Sequence, residues 1–422
     1  MAATDLQQPR IASQITGPLG NFVEFKNGRS SPDRSDSGAF AVYGSNGKIG
    51  KADVTNAPEG TLVVGRVGSY CGSVHFSPQK CWVTDNAIIG SSRSQKDSRF
   101  WFYKLASLDL NNYRAGSGQP LLNQQILNSI QVSIPASEDN RFQIAKALAT
   151  FDDKIDLNRS INQTLEAMAQ ALFQSWFVDF DPVKAKIAAI TEGRDPLRAA
   201  MSAIGGKPDD ELDALPPEQY EQLAATAALF PEEMEESELG EIPSGWQVQR
   251  VSNVLELVYG KALKSTDRQE GSVPVYGSGG ITGYHNTPLV QHGSIIVGRK
   301  GTVGSLYWED EPFFPIDTTY YVRPLAAPLT FCYYAMQNLG LEKMNTDAAV
   351  PGLNRENVYR LELVLPDVSA LQKFDLDVST LRKAIRANSG SNKTLANLRD
   401  SLLPKFLSGE LSVTEVMAEA EV

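Results

Sequence analysis

The stretch Val42-Tyr-Gly-Ser-Asn-Gly-Lys-Ile-Gly50 recurs 233 residues later as Val275-Tyr-Gly-Ser-Gly-Gly-Ile-Thr-Gly283. A second motif repeats at the same offset, because Val64-Gly-Arg-Val-Gly68 is followed later by Val297-Gly-Arg-Lys-Gly301. Repeat proteins have periods of about 20 to 50 residues, so a period this long indicates a duplicated domain. A chain of 422 residues is long enough for two or three hydrophobic cores.

The overall composition is that of an ordinary globular protein, with 42% hydrophobic and 21% charged residues. No apolar run reaches the roughly 18 to 20 residues that a membrane span requires. The three cysteines, Cys71, Cys81 and Cys332, have no CxxC spacing, which favours neither a disulfide framework nor a zinc site. We therefore expect a cytoplasmic protein that has no metal, no cofactor and no membrane contact.

The formal net charge of −11 is concentrated in one segment. Residues 178–245 contain 16 acidic and 5 basic residues, and the rest of the chain contains 34 of each. The repeated modules can therefore present basic surfaces despite the acidic total.

The two modules are predicted to consist mainly of short strands with a few short helices. In the first module, Thr61–Val64, Cys81–Thr84 and Ala87–Ile89 are apolar runs of strand type, bounded by turn residues. The second module begins at Leu239-Gly-Glu-Ile-Pro-Ser-Gly-Trp246, and Ser294–Val297 is one of its predicted strands. The segment between the modules is rich in Ala, Glu and Pro, which favours short amphipathic helices and loops.

Each module is followed by a pattern of three- and four-residue apolar steps, which predicts a long helix with a coiled-coil seam. An antiparallel register that places Asn158 opposite Asn392 and Asn162 opposite Asn388 also matches apolar residues, with Phe151 opposite Arg399 as the exception. We predict this pairing, with a pseudo-twofold axis near the asparagines. The alternative is that each helix packs only on its own module. The predicted pairing residues are Ile155, Asn158, Asn162, Leu165, Leu172, Trp176, Phe374, Val378, Ile385, Asn388, Asn392 and Leu395.

The repeated loops are better suited to binding than to catalysis. Glycines allow close approach to a ligand, arginine can bind phosphate or guanine through two hydrogen bonds, and asparagine and serine can read base edges. Hairpin turns and surface ion pairs explain the same residues equally well. Charge and loop position give these candidates for nucleic-acid binding: Lys26, Arg29, Ser45, Asn46, Lys48, Lys51, Arg66, Ser69, Tyr70, Lys261, Lys264, Ser278, Tyr284, His285, Arg299, Lys300 and Thr302.

No catalytic residues are predicted. The sequence has no GxxxxGK[ST], HExxH or GxSxG motif. Asp85 and Asp317 correspond between the modules and could act as hydrolase carboxylates. Turn residues that hydrogen-bond to backbone are the more common role of such aspartates.

These features together resemble the specificity (S) subunit of type I restriction–modification enzymes. The resemblance rests on the duplicated Tyr-Gly-Ser and Gly-Arg-x-Gly motifs, on the segment Leu239–Trp246, and on the ends of the long helices. Those ends read Ser175-Trp-Phe-Val-Asp-Phe180 and Leu402-Leu-Pro-Lys-Phe-Leu-Ser-Gly409. The resemblance covers most of the chain apart from the acidic connector.

The resemblance implies an α+β protein with two homologous α/β target recognition domains, separated by two long helices that pair as an antiparallel coiled coil. Each domain would read one half of a bipartite, asymmetric site in double-stranded DNA. The long helices would set the spacing of the half-sites. The subunit would have no catalytic activity and would bind two modification (methyltransferase) subunits, and restriction subunits through them, in a restriction system that defends against phage.

The predicted boundaries are residues 1–136 and 239–366 for the recognition domains, 137–180 and 367–410 for the long helices, 181–238 for the acidic connector and 411–422 for a tail. The connector could contact a partner subunit or could be a solvated linker. Two other functions remain open: an independent nuclease or hydrolase that uses Asp85 and Asp317, and an interaction scaffold that binds no DNA.

Overall fold

The computed structural model describes residues 13–113, 121–345 and 352–413. Most of the predicted tail therefore lies outside the described residues. The chain divides into two compact units, residues 1–158 with 390–422 and residues 159–389. Each unit contains one module and a segment of both long helices.

The first module is built on a four-stranded antiparallel sheet and a three-stranded sheet. The apolar run Thr61–Gly65 is fully buried and lies inside the larger sheet, between Ala87–Ser92 and Val74–Ser77. The strands of the module are Gln14–Pro18, Val23–Asn27, Phe40–Gly44, Gly47–Ala52, Thr61–Gly65, Val74–Ser77, Cys81–Val83, Ala87–Ser92 and Gln131–Pro135.

Two short helices accompany these sheets, Ser98–Ala106 and Gln124–Ser129. Asn123 begins the second of them, because its side-chain Oδ1 accepts a hydrogen bond from the Ile126 N–H at 2.8 Å. The predicted strands of this module are present. Thr61–Gly65 and Cys81–Val83 end within one residue of the expected positions, and Ala87–Ser92 extends three residues beyond its expected end.

The second module has the same arrangement of sheets, with a buried strand Ser294–Gly298 at the equivalent place. An additional hairpin, Met234–Ser237 with Gly240–Pro243, precedes it. The other strands are Gln247–Arg250, Leu255–Tyr259, Val273–Gly277, Gly280–His285, Leu306–Glu309, Phe314–Pro315, Thr319–Pro324 and Glu362–Leu365, and the helices are Val251–Val254, Leu329–Asn338 and Arg355–Tyr359. The duplication inferred from the motifs therefore extends to the topology of both sheets.

The long helices are Glu138–Phe177 and Val368–Ser408. In one unit Asn158 Nδ2 donates to Asn392 Oδ1 at 2.8 Å. In the other, Asn388 Nδ2 donates to Asn162 Oδ1 at 2.9 Å. Partner numbers fall as residue numbers rise, so the helices are antiparallel, as predicted. The alternative, in which each helix packs only on its own module, is wrong.

Ion pairs flank the asparagines within each unit. Arg399 Nη1 lies 2.5 Å from Asp152 Oδ1, which explains how an arginine fits opposite Phe151 in an apolar seam. In the other unit, Arg382 Nη1 lies 3.1 Å from Glu166 Oε2 and the guanidinium packs 4.4 Å from the centre of the Trp308 ring. Arg382 is only 12% exposed. Its ion pair joins the two long helices, and its contact with Trp308 fixes the second long helix against the second module.

We expect Asn158→Ala to lower the free energy of unfolding by about 1–3 kcal/mol, because Asn392 loses its partner at a part-buried contact. Asn158 itself is 2% exposed. The double substitution Asn158→Leu with Asn392→Leu should be neutral or stabilising, since no polar group is then left unpaired. Urea unfolding of the two variants and the wild type measures both effects. A destabilised double variant would contradict the account.

The first long helix ends at Phe177, before Asp181-Pro182, as the proline rule predicts. The chain turns at Phe180, whose φ of 57° is left-handed, and a new helix begins at Asp181. A left-handed residue that is not glycine costs about 1–2 kcal/mol. Burial of the Phe180 ring against Trp246, at a centroid distance of 5.8 Å, offsets that cost.

The acidic connector is folded. Its helices are Asp181–Thr191, Pro196–Gly205, Asp209–Leu212 and Pro217–Ala227. They enclose a small core of Ala200, Met201, Leu212 and Ala227. Lys186, on the first of these helices, is buried, and its Nζ donates to the Phe230 carbonyl at 2.7 Å. The connector is therefore a small folded segment, and its contact with a partner subunit stays a prediction.

Within the described residues, no helix combines the length and apolar character that crossing a membrane requires. Across the same ranges, no group of three or more His, Cys, Asp or Glu side chains is arranged to hold a metal ion.

Candidate nucleic-acid interface

The repeated Tyr-Gly-Ser motif forms a hairpin with a two-residue tip in both modules. Gly44 pairs with Gly47 across Ser45-Asn46, and Gly277 pairs with Gly280 across Ser278-Gly279. The residue after each tip is glycine with positive φ, 87° at Gly47 and 103° at Gly280. A side chain would be strained there, which explains why glycine stands at this position of both hairpins.

Each hairpin tip is tied to the loop that follows the Gly-Arg motif. Ser73 Oγ donates to the Ser45 carbonyl, and Ser305 Oγ donates to the Ser278 carbonyl at 2.6 Å. In the second module the Thr302 N–H also donates to Ser278 Oγ at 3.3 Å. Tip and loop therefore form a single surface in each module, although 20 or more residues separate them in sequence.

A different ring supports the tip in each module. His75 lies beneath Gly47, and Tyr307 occupies the equivalent strand position in the second module, where its hydroxyl donates to the Ser278 carbonyl at 3.3 Å. Burial lowers the pKa of His75. The imidazole beneath the first tip therefore stays uncharged at neutral pH, and the contact is structural. The sequence pattern identified neither ring as part of the site.

The Gly-Arg motif has the same backbone contacts in both copies. The Arg66 N–H donates to the Asn86 carbonyl at 2.9 Å, and the Arg299 N–H donates to the Thr318 carbonyl at 2.9 Å. The side chains also correspond. Arg66 Nη1 donates to the Asp85 carbonyl at 3.4 Å, and Arg299 Nη1 to the Asp317 carbonyl at 3.1 Å.

The described part of the chain places no carboxylate in an ion pair with either arginine. Each uses one nitrogen of its guanidinium on a main-chain carbonyl, so most of its donors remain available for an anion or a base edge. This arrangement favours the binding interpretation of the two arginines over surface ion pairs.

Asp85 and Asp317 are exposed turn residues. Their main-chain carbonyls accept the hydrogen bonds from the two arginines. Each carboxylate follows a buried strand but lies outside any group suited to holding a metal ion among the described residues. The aspartates therefore shape the loop that carries the arginine hydrogen bond.

The remaining candidates divide into those near a tip and those away from it. Asn46 and Lys48 are exposed at the first hairpin, Ser69 and Tyr70 lie exposed on the loop after Arg66, and Lys300 and Thr302 lie exposed on the loop after Arg299. Exposed positions further along the strands or in flanking loops are occupied by Arg29, Lys51, Lys261, Lys264 and Tyr284.

Two candidates have other partners. Lys26 lies on the strand Val23–Asn27 and pairs with Glu24 at 3.0 Å. His285 lies at the far end of its hairpin strand from the tip, where its Nδ1 accepts a hydrogen bond from the Gln269 N–H at 3.0 Å. The structure does not bring these two side chains to the surface formed by tip and loop.

Burial and a hydrogen bond also hold the tyrosine of the second motif. Burial of the Tyr276 ring raises the pKa of its phenol, and the adjacent Glu309 carboxylate, which accepts its hydrogen bond at 2.8 Å, raises it further. Tyr276 is therefore a neutral support of the hairpin. The residues that face outward from the tip are those that differ between the copies.

Both modules match one protein-family model, the type I restriction modification DNA specificity domain, over residues 16–167 and 243–397. The chain belongs to this family. The two matched segments contain both hairpin tips and both Gly-Arg motifs and leave out the acidic connector. The resemblance identified from the sequence is confirmed, and DNA sequence recognition within a type I restriction–modification system is the role of the family.

Individual relatives agree with this assignment. The chain is 31% identical over 328 residues to the type I restriction enzyme HindI specificity subunit of Haemophilus influenzae, covering 69% of this chain and 71% of that protein. It is 23% identical over 363 residues to the MjaIX specificity subunit of Methanocaldococcus jannaschii, covering 76% and 70%. The crystal structure of a type I S subunit from M. genitalium has the same fold, with a TM-score of 0.54, 17% identity and coverage of 95% and 98%.

Proposed function

We propose that the two modules are target recognition domains and that each reads one half of a bipartite, asymmetric DNA site. The tip of the hairpin and the loop after the Gly-Arg motif form the surface that meets DNA. Arginine in that loop binds phosphate or guanine, and the exposed polar residues of the tip contact base edges. The proposed recognition domains are residues 1–136 and 239–366.

One observation carries this proposal: the two modules share the tie between tip and loop but differ in the residues that the tip exposes. Asn46 and Lys48 in the first module correspond to Gly279 and Ile281 in the second. A shared scaffold places both modules on DNA in the same way. Different exposed side chains then give each module its own half-site.

The long helices are proposed to act as the spacer between half-sites and as the docking surface for two methyltransferase subunits, through which restriction subunits join. The asparagine pairs support a spacer of fixed register, because a buried polar pair penalises other alignments of the seam. The chain itself is proposed to be non-catalytic and to act in the cytoplasm. Metal-dependent DNA cleavage by the purified chain alone would contradict this part.

We expect Arg66→Ala and Arg299→Ala each to weaken DNA binding by the assembled methyltransferase complex. The loss should be about 1–3 kcal/mol if the arginine contacts a base through two hydrogen bonds. Electrophoretic mobility shifts at constant salt measure it, because affinity for DNA depends steeply on ionic strength.

Arg194→Ala is the matched control for charge. Arg194 is exposed, lies in the acidic connector and pairs with Glu192. Its removal should leave DNA affinity unchanged. Equal affinities for wild type, Arg66→Ala and Arg299→Ala would return the two arginines to a structural role.

A further inference from the structure

The second module has a cluster of arginine and tyrosine side chains beside its Gly-Arg motif. The Arg299 guanidinium lies 4.9 Å from the centre of the Tyr259 ring, and the Arg355 guanidinium lies 5.1 Å from the same ring. Arg355 also lies 5.4 Å from the Tyr359 ring. Two cations therefore share one aromatic side chain, an arrangement that orients both guanidinium planes.

Three segments hold the cluster together. Tyr259 ends the strand Leu255–Tyr259 and lies opposite Tyr320 on the neighbouring strand. The Tyr320 hydroxyl donates to the Leu353 carbonyl at 3.0 Å, just before Arg355 begins its helix. Asn354 caps that helix through the Glu356 N–H at 2.9 Å. The main chain is thus held by side-chain hydrogen bonds on both sides of Arg355, at Leu353 and at Glu356.

The cluster faces solvent with its positive charge largely unopposed. Tyr259 is 45% exposed and the Arg355 side chain 32% exposed. The carboxylate nearest Arg355 in the described ranges is Glu356 at 3.6 Å, which is itself well exposed, so the pair is weak. Arg355 Nε is buried and has no hydrogen-bond partner within those ranges. Two adjacent guanidinium groups with spare donors form a site for an anion or for a pair of acceptors.

The first module lacks this cluster. The strand registers match Asn27 with Tyr259 and Ile88 with Tyr320. The helix caps at Asn123 and Asn354 match Gln124 with Arg355 and Asn128 with Tyr359. Only the arginine of the motif, Arg66, is common to both. The two surfaces otherwise correspond, so the cluster is a difference between them. Two modules that read different sequences must differ on the surface that meets DNA.

We propose that Arg299, Arg355 and Tyr259 form a DNA contact that is present only in the second module and binds a pair of oxygen or nitrogen acceptors on DNA. The acceptors are either two oxygens of one phosphate or O6 and N7 of a guanine, since a guanidinium matches both. Tyr259 is a positioning residue that holds the two planes. This inference rests on the proposed DNA recognition by the modules.

The test uses the full chain assembled with its methyltransferase subunits and a duplex selected by that wild-type complex from a randomised library. Arg355→Gln is the principal variant, because glutamine already occupies the equivalent position, Gln124, in the first module and should fold there. We expect it to weaken binding roughly 5- to 150-fold. Tyr259→Leu should weaken binding as well, and Tyr259→Phe should retain most of it because the ring is kept.

Arg360→Gln is the control, because Arg360 is exposed just after the same short helix and outside the cluster. It removes the same charge and should leave affinity unchanged. If phosphate is the ligand, Arg355→Gln lowers affinity for all duplexes and reduces the slope of log K against log salt by about 1. If guanine is the ligand, repeated selection with the variant relaxes one position of one half-site.

Wild-type affinity in both Arg355→Gln and Tyr259→Leu overturns the inference and leaves the proposed function standing. Equal losses in Arg360→Gln and Arg355→Gln also overturn it, because the effect is then one of general charge. A wild-type complex that selects no sequence from the library contradicts the proposed function itself, and this inference falls with it.

Discussion

Removal of one heptad from each long helix is expected to abolish binding to the natural DNA site. The shortened protein should instead prefer a site whose half-sites lie closer together. The matched segments are residues 159–165 and 385–391, which face each other in the observed register and leave the Asn158–Asn392 pair intact. Seven helical residues span about 10 Å, which corresponds to about three base pairs of DNA. Each module would then meet the wrong part of its half-site.

The expected loss is large, because a site that only one module can engage retains little beyond non-specific affinity. Specific sites are typically bound about 10³ to 10⁷ times more tightly than other DNA. Selection from a randomised library should return the same two half-sites with about three fewer base pairs between them. Deletion of residues 159–165 alone is the control, since it removes Asn162, leaves Asn388 without that partner and should destabilise the helix pair. An unchanged spacing in the doubly shortened protein would contradict the spacer role.

The second large effect is on stability. Phe374→Ala should lower the free energy of unfolding by about 3–5 kcal/mol, the usual cost of deleting a fully buried phenylalanine ring. Phe374 packs with Phe177, Phe173 and Trp176 at centroid distances of 5.1, 5.8 and 6.2 Å. These rings belong to the other long helix, so the substitution leaves a cavity between the paired helices.

Leu376→Ala provides a matched control on the same helix. Leu376 is 64% exposed, and an exposed substitution of this kind usually changes stability by less than about 0.5 kcal/mol. Urea unfolding of the two variants measures the difference directly. Similar unfolding midpoints for Phe374→Ala and wild type would mean that the aromatic cluster does not hold the helices together.

The helix pairing was predictable because each apolar seam contains two asparagines. Few alignments of the two helices place asparagine opposite asparagine at both positions. Asn158 with Asn392 and Asn162 with Asn388 follow from that constraint. The contact of Arg382 with Trp308 did not follow, because Trp308 lies on a strand of the second module and only the fold brings it to the helix.

The candidate interface was only partly predictable. Comparison of the two copies identified what they share, and so it found the hairpin tips and Arg66 with Arg299. The same comparison could not find Tyr259 and Arg355, because the first module has Asn27 and Gln124 at those positions. These residues come from segments nearly 100 positions apart, and only the fold brings them to one surface. A comparison of the two copies finds the residues that they share and does not find the residues by which they differ.

Selection of duplexes from a randomised library with three methyltransferase complexes measures whether each module reads its own half-site. These contain the wild-type chain, Arg66→Ala and Arg299→Ala. We expect the wild-type complex to select a bipartite sequence. Arg66→Ala should then weaken the sequence preference in one half only, and Arg299→Ala in the other half only. Loss of preference in the same half for both variants, or in neither half, would contradict it.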